Sequence, residues 1–269
     1  MANWTDVFRA QLFSSIAWYK NNRFMFFSMF VWPYIMVGMI YALGTIYGDI
    51  EQYTLQMGIS NPALYLFASS VVAMSSLFIV DAVAGFTLWN RWLGTLPYII
   101  LSPVKTSVIL IVAGLPDSLI SPVITMLGIV PAVIYYEGII GAAKTLLVLL
   151  IIFLGMLPML GFASLFASLL LVLKEESNIL SSLSPFILLA SGVFYPIEIL
   201  PRILQAVSEV VPTRYVIDAS KLVSTYLLPE ARPLLLIIYA IAILGGVYNL
   251  LALSAIGRAE RRVKKVGAI

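Results

Sequence analysis

The chain has 269 residues, of which 61% are hydrophobic and 11% charged, with a mean hydropathy of +1.02. Soluble domains are charged at about 25% of positions, and a soluble core of this size could not hide so much apolar surface, so the composition predicts one all-α polytopic membrane domain over residues 1–269. With a net charge of only +3 and neither Cys nor His, disulfides, thiol nucleophiles and thiolate or imidazole metal ligands are excluded, and no basic run interleaved with aromatics suggests nucleic acid as a partner.

Along the chain, Trp4, Phe8, Leu12, Ile16 and Tyr19 recur every three to four residues, while Asp6, Arg9 and Lys20 fall elsewhere on the wheel. Residues 1–23 are therefore expected to form an amphipathic helix lying on the membrane surface. Six apolar stretches follow within a bundle over 24–256: residues 24–47, 62–85, 107–134, 144–172, 179–196 and 234–256. About 20 apolar residues cross about 30 Å of hydrocarbon, so five stretches suffice and the fifth is marginal. The first starts too late and is too long for a cleaved signal peptide. Trp18, Tyr19, Trp32, Tyr47, Trp89, Trp92, Tyr135 and Tyr136 flank the stretches as an interfacial aromatic belt would.

Between the second and third stretches, Arg91-Trp92-Leu93-Gly94-Thr95-Leu96-Pro97 and then Ser102-Pro103 predict a short, mildly amphipathic helix over 86–97 ended by prolines. It would either present Arg91, Trp92 and Leu93 to a soluble partner or serve as an interfacial connector. Two acids fall inside spans, Asp81 and Asp117. Intramembrane carboxylates are functional candidates by default, although Asp81 would sit within a turn or so of the end of its span. Asp117 follows Gly114 and Pro116, a pair that favours a kink whose freed backbone groups its carboxylate could bind.

The fifth stretch ends in Ser191-Gly192-Val193-Phe194-Tyr195-Pro196, where Gly192 and Pro196 interrupt a span of normal length. Beyond it, Leu200, Ile203, Leu204, Val207, Val210 and Val211 make an apolar stripe opposite Arg202, Gln205, Ser208 and Glu209 between Pro201 and Pro212. A second short helix is expected from Thr213 to about Leu227. The two would form a re-entrant pair dipping into the membrane, or else lie on its surface. Residues 257–269 form a basic tail.

Lys and Arg set the orientation. One set of connections holds eleven of the sixteen: Arg9, Lys20, Arg23, Arg91, Lys105, Lys174, Arg258, Arg261, Arg262, Lys264 and Lys265. The positive-inside rule assigns that set, and both termini, to the cytoplasm. The other set holds Lys144, Arg202, Arg214, Lys221 and Arg232.

Catalytic patterns are lacking. Gly138-Ile139-Ile140-Gly141-Ala142-Ala143-Lys144-Thr145 approximates a phosphate loop, but Ala143 replaces the glycine before the lysine and the strand-to-helix context is missing. The chain is not read as an enzyme, so energy must come from a partner or an ion gradient. A secondary transporter or channel would want midplane helix breaks and an inverted repeat. Residues 24–134 and 144–256 do not repeat one another convincingly. A purely structural subunit of a larger complex would explain the shortage of polar groups, but not the non-spanning helices at 4–20, 86–97 and 197–228.

Together these residues resemble the membrane subunit of ABC type-2 exporters. The specific strings are Ser191 to Pro196 with Leu200-Pro201, then Val211-Pro212-Thr213-Arg214-Tyr215-Val216-Ile217-Asp218, and Arg91 to Leu96 with Ser102-Pro103. The family often has an acid after the Gly-Thr-Leu; this chain has Pro97. The resemblance implies six spans in a prokaryotic cell membrane, and a homodimer or a heterodimer with a related permease. It also implies a separate ABC ATPase that binds ATP and Mg. That ATPase would grip the coupling segment Arg91–Pro97 and the N-terminal helix. The outer pair, with Ser191, Gly192, Phe194, Tyr195, Pro196, Pro201, Pro212 and Tyr215, would act as the external gate. Spans three and four are rich in Leu, Ile, Val and Met, and such a wall favours amphiphilic or lipophilic cargo, with saccharides left open.

Overall fold

The computed structural model describes residues 4–46, 62–173, 179–194, 197–226 and 231–266, and all regular elements among them are helical. In chain order these are α1 (Trp4–Asn21), α2 (Arg23–Ile46) and α3 (Pro62–Val80), which passes through a π-turn (Asp81–Gly85) directly into α4 (Phe86–Trp92). They continue with α5 (Leu96–Ile100), α6 (Thr106–Val172), α7 (Ile179–Ser191), a 3-10 turn (Ile197–Ile199), α8 (Arg202–Ser208), α9 (Pro212–Thr225) and α10 (Ala231–Val266). Four segments are long and apolar enough to cross a membrane: Arg23–Ala42, Ala63–Trp92, Thr106–Val172 and Arg232–Lys265.

The third of these is two arms. Gly138 inside it has φ 69° and ψ −162°, a conformation that glycine alone adopts freely. A Cβ there would meet nothing within 4 Å, so conformation rather than crowding demands the glycine. Hydrogen bonds at opposite ends give the direction of each arm. Glu137 Oε1 accepts from the backbone N–H of Leu64, at the start of α3 (2.7 Å). Arg91, at the end of α4, donates to the carbonyl of Leu173 (2.6 Å), just past the end of α6. Since Leu64 and Arg91 mark the two ends of one rod, the chain must turn back at Gly138, with arms 106–137 and 139–172. At about 1.5 Å rise per residue, each arm is ample for a bilayer.

The α3–α4 rod is the core of the bundle. Near Leu64 it packs with Met36, Ile40, Ile129, Val133, Val148 and Val216. Near Arg91 it packs with Leu110, Leu160, Ala163, Ile187 and Ile256. Lipid offers no hydrophobic drive between helices, so close packing rests on small residues that let backbones approach. A Cβ on Gly128 would lie 3.1 Å from Phe30 Cα, and one on Gly161 2.7 Å from the Asn249 backbone nitrogen. By contrast α10 turns Leu235, Leu236, Tyr239, Leu250 and Leu251 outward, as a lipid-facing helix does.

Several boundaries differ from those read in the sequence. The second span does not stop at Gly85 but stays helical to Trp92, so Asp81 lies eleven residues from its end rather than about one turn. Pro97 does not end a helix: it occupies the first turn of α5, where a missing N–H is harmless. The connection expected over 135–143 shrinks to Gly138. The last helix runs on to Val266, because the basic tail supports helix through pairs such as Lys264 Nζ to Glu260 Oε1 (2.6 Å). The helix expected from Pro201 to Pro212 covers only Arg202–Ser208.

Candidate functional site

At the Arg91 end, α4 stops at a turn built by short-range bonds. Asn90 Nδ2 donates to the Phe86 carbonyl (2.8 Å), and Thr95 Oγ1 donates to Asn90 Oδ1 (2.7 Å). The Thr95 N–H also returns to the Asn90 carbonyl (2.8 Å). Gly94 supplies the positive φ of 70° that the turn requires. Arg91, which the sequence offered to a soluble partner, points inward. Its guanidinium donates to the carbonyls of Leu170, Leu171 (3.2 Å) and Leu173 (2.6 Å). These are orphan carbonyls at a helix C-terminus, where a cation is also favoured by the helix dipole. One side chain thus ties the turn to the end of α6. Trp89, Trp92 and Leu93 point the other way and are 61%, 54% and 69% exposed, with the two indoles edge-to-face at 5.3 Å. Leu96 is buried, and Pro97 half-buried.

At the Glu137 end, α7 breaks at Gly192, whose φ is 76°. Ser191 is buried and donates to the Leu188 carbonyl (2.8 Å). Phe194 is half-buried against the core. Tyr195 and Pro196 lie outside the described residues. Pro201 precedes the first residue of α8, and Pro212 opens α9. Within the bundle α9 is held on three sides. Thr213 Oγ1 donates to Ser76 Oγ of α3 (3.0 Å). Gly155 of α6 leaves room for Val216, whose Cγ2 would lie 2.2 Å from a Cβ there. Lys144 Nζ, only 5% of that residue being exposed, donates to the Ser224 carbonyl near the end of α9 (3.2 Å). Tyr215 donates to the Glu209 carbonyl (2.9 Å), and Tyr248 of α10 donates to the Val210 carbonyl. Arg214 donates to Ser208 Oγ (3.0 Å) and pairs with Asp218 at 3.6 Å. Burial pushes the Asp218 carboxyl above its ordinary range, partly offset by Arg214 and Lys221. In α8 the apolar stripe is only partly covered: Ile203 is exposed, Leu204 and Val207 are half-buried, and Ser208 of the polar side is buried.

The two intramembrane acids have different surroundings. The hydroxyls of Ser15 and Tyr19 on α1 lie against the Asp117 carboxylate, so Asp117 joins α1 to the first arm of α6. The protein-facing side of α1 is accordingly Phe8, Leu12, Ser15 and Tyr19, while Trp4, Phe13 and Ile16 remain exposed. Asp81 opens the π-turn, is exposed, and has no partner among the described residues.

Sequence reasoning missed the three helix-end caps. Glu137, Lys144 and Arg91 each satisfy backbone groups of a helix distant in sequence. For Lys144 the available signal was its place at the start of a span, in a string that had no phosphate-loop context. Among the described residues no group of His, Cys, Asp and Glu could hold a metal.

The all-helical fold, its long apolar rods and small-residue packing define an integral membrane protein with several crossings. A family model described as ABC-2 type transporter matches residues 8–224. The chain belongs to that family and is a permease subunit of an ABC transporter, the family being a membrane-spanning one rather than an ATPase, with an ABC ATPase as the implied partner. No curated protein matches the chain.

Proposed function

We propose that this chain, paired with a second copy or a related permease, encloses an outward-opening pathway of an ATP-driven exporter in the cell membrane. The bundle crosses six times with both ends cytoplasmic, and its cargo is amphiphilic or lipophilic. The observation that carries the reading is the Arg91 turn. It offers Trp89, Trp92 and Leu93 to a partner while its guanidinium holds the end of α6. A push on that turn would move α4 and the second arm of α6 together, because a packed bundle transmits strain rather than absorbing it. α1 would follow through Asp117. ATP and Mg would be bound by the partner subunit, so this chain contributes the turn Arg91–Pro97, which docks through its exposed Trp92 and Leu93. At the other end, the region from Ser191 through Tyr215 would close the pathway, and its release would require only rearrangement around Gly192 and the α8–α9 turn.

The test is to purify the chain with the ATPase co-expressed and to measure ATP-driven export from reconstituted vesicles. The reading expects a stable complex whose hydrolysis drives transport, and Trp92→Ala with Leu93→Ala to uncouple the two. An isolated chain with no associated ATPase, or full transport by the double variant, would overturn it.

A further inference from the structure

Of the two acids inside the spans, Asp81 is the one that neither the packing nor the helix caps use. It opens the one π-turn among the described residues, a distortion that recurs at functional positions. The turn is fixed by Val83, which is fully buried and fills the notch at Gly114, where a Cβ would come within 2.2 Å of Val83 Cγ2. Val83 faces the first arm of α6, so Asp81, two positions earlier and half a turn away, faces off that arm and is exposed. Its depth follows from the rod: eleven residues separate it from Trp92 and eighteen from Ala63, which is about 16 Å and 27 Å of helix. Asp81 therefore lies within the hydrocarbon layer.

An ionised carboxylate at that depth is costly against lipid tails, and such groups face a water-filled cavity or a cation. The apolar stretches of a second copy bring no cation to that depth. The six apolar stretches contain a single basic residue, Lys144, and its ammonium is committed to Ser224 at the far end. We infer that Asp81 lines the pathway and binds the cationic group of an amphiphilic cargo. The inference rests on the pathway reading above and narrows it: among lipophilic compounds, those with a positive charge are bound preferentially.

Tetraphenylphosphonium and tetraphenylborate match in size and shape and differ in charge. Equilibrium dialysis against the chain–ATPase complex, without nucleotide, measures the binding of each. Asp81→Asn is expected to raise the apparent Kd for the phosphonium by about tenfold or more, one charge–charge contact being worth that factor. Asp81→Glu should stay close to the parent, and borate binding should not weaken in either variant, which also shows that the fold is intact. Unchanged phosphonium affinity in Asp81→Asn, or equal loss of both ions, overturns the inference. So does failure of the two permease copies to associate in Asp81→Asn with phosphonium affinity preserved, since the carboxylate would then serve the interface. ATP hydrolysis by the same preparation reports separately on the exporter reading: without it that reading falls, while the dialysis still decides whether Asp81 binds cations.

Discussion

The two ends of the bundle use charge in the same way and present very different surfaces. At the Arg91 end, one guanidinium satisfies two carbonyls of α6 and the Leu173 carbonyl just beyond it, and the turn it holds leaves two tryptophans and a leucine in the open. At the Glu137 end, Glu137 and Lys144 satisfy the start of α3 and the end of α9, and the elements they hold are packed inside. The Arg91 end is rigid beneath and exposed above, which suits a docking surface. The Glu137 end is a set of short helices joined by positive-φ glycine and proline, which suits a part that changes shape.

The strongest way to break that comparison is to wedge the packed end open. Gly155→Leu forces a side chain into the space held by Val216, and overpacking of this kind costs about 1–3 kcal/mol or more. The expected result is a clear fall in Tm and loss of transport, with ATPase binding at the other end retained. Next in size is Arg91→Ala, which strips the charge-assisted hydrogen bonds of a half-buried guanidinium, a loss of about 1.5–3 kcal/mol in all. It should lower Tm and weaken coupling together, and Arg91→Lys should recover only part of either, because an ammonium lacks the planar fork that reaches several carbonyls.

Lys144→Met keeps the bulk and removes the cap on α9, with an expected cost of about 1–2 kcal/mol, read by chemical denaturation of the purified chain. Smallest is a pH effect at Asp218. Burial raises its folded-state pKa above the ordinary value of 3.8, so the folded state holds its proton longer than the unfolded one. Stability then falls as pH climbs from 3.8 through the raised value. Asp218→Asn should flatten that part of the stability profile, and an unchanged slope would show that the carboxylate is solvated.

Much of this layout was legible in the sequence. Continuous apolar runs marked the spans, and Gly192, Pro201 and Pro212 marked the helices that do not cross. Length alone also set the marginal fifth stretch apart: its helix covers Ile179–Ser191 and is not among the described segments long enough to cross. The caps were not legible: Arg91 read as a charge offered to a soluble partner, and Glu137 and Lys144 as charges flanking an outer turn, until the fold brings another helix end to each. Nor was the course of the second span: Asp81 and Gly85 suggest an end, whereas a π-turn packed into the Gly114 notch lets the helix continue to Trp92. Periodicity gave α1 an apolar face, but could not say that Ser15, a polar residue, would be its most buried position, because its partner Asp117 lies a hundred residues away.

If a separate ATPase drives this chain through the exposed turn at the Arg91 end, the two must touch there. The chain has no cysteine, so a single introduced one reports unambiguously. Leu93→Cys, exposed on the turn, should crosslink to the co-expressed ATPase through a short bifunctional reagent, and ATP should change the yield. Ile140→Cys, also exposed but at the opposite end, should not crosslink. A crosslink at Ile140, or none at Leu93 in a complex that hydrolyses ATP, would contradict the account.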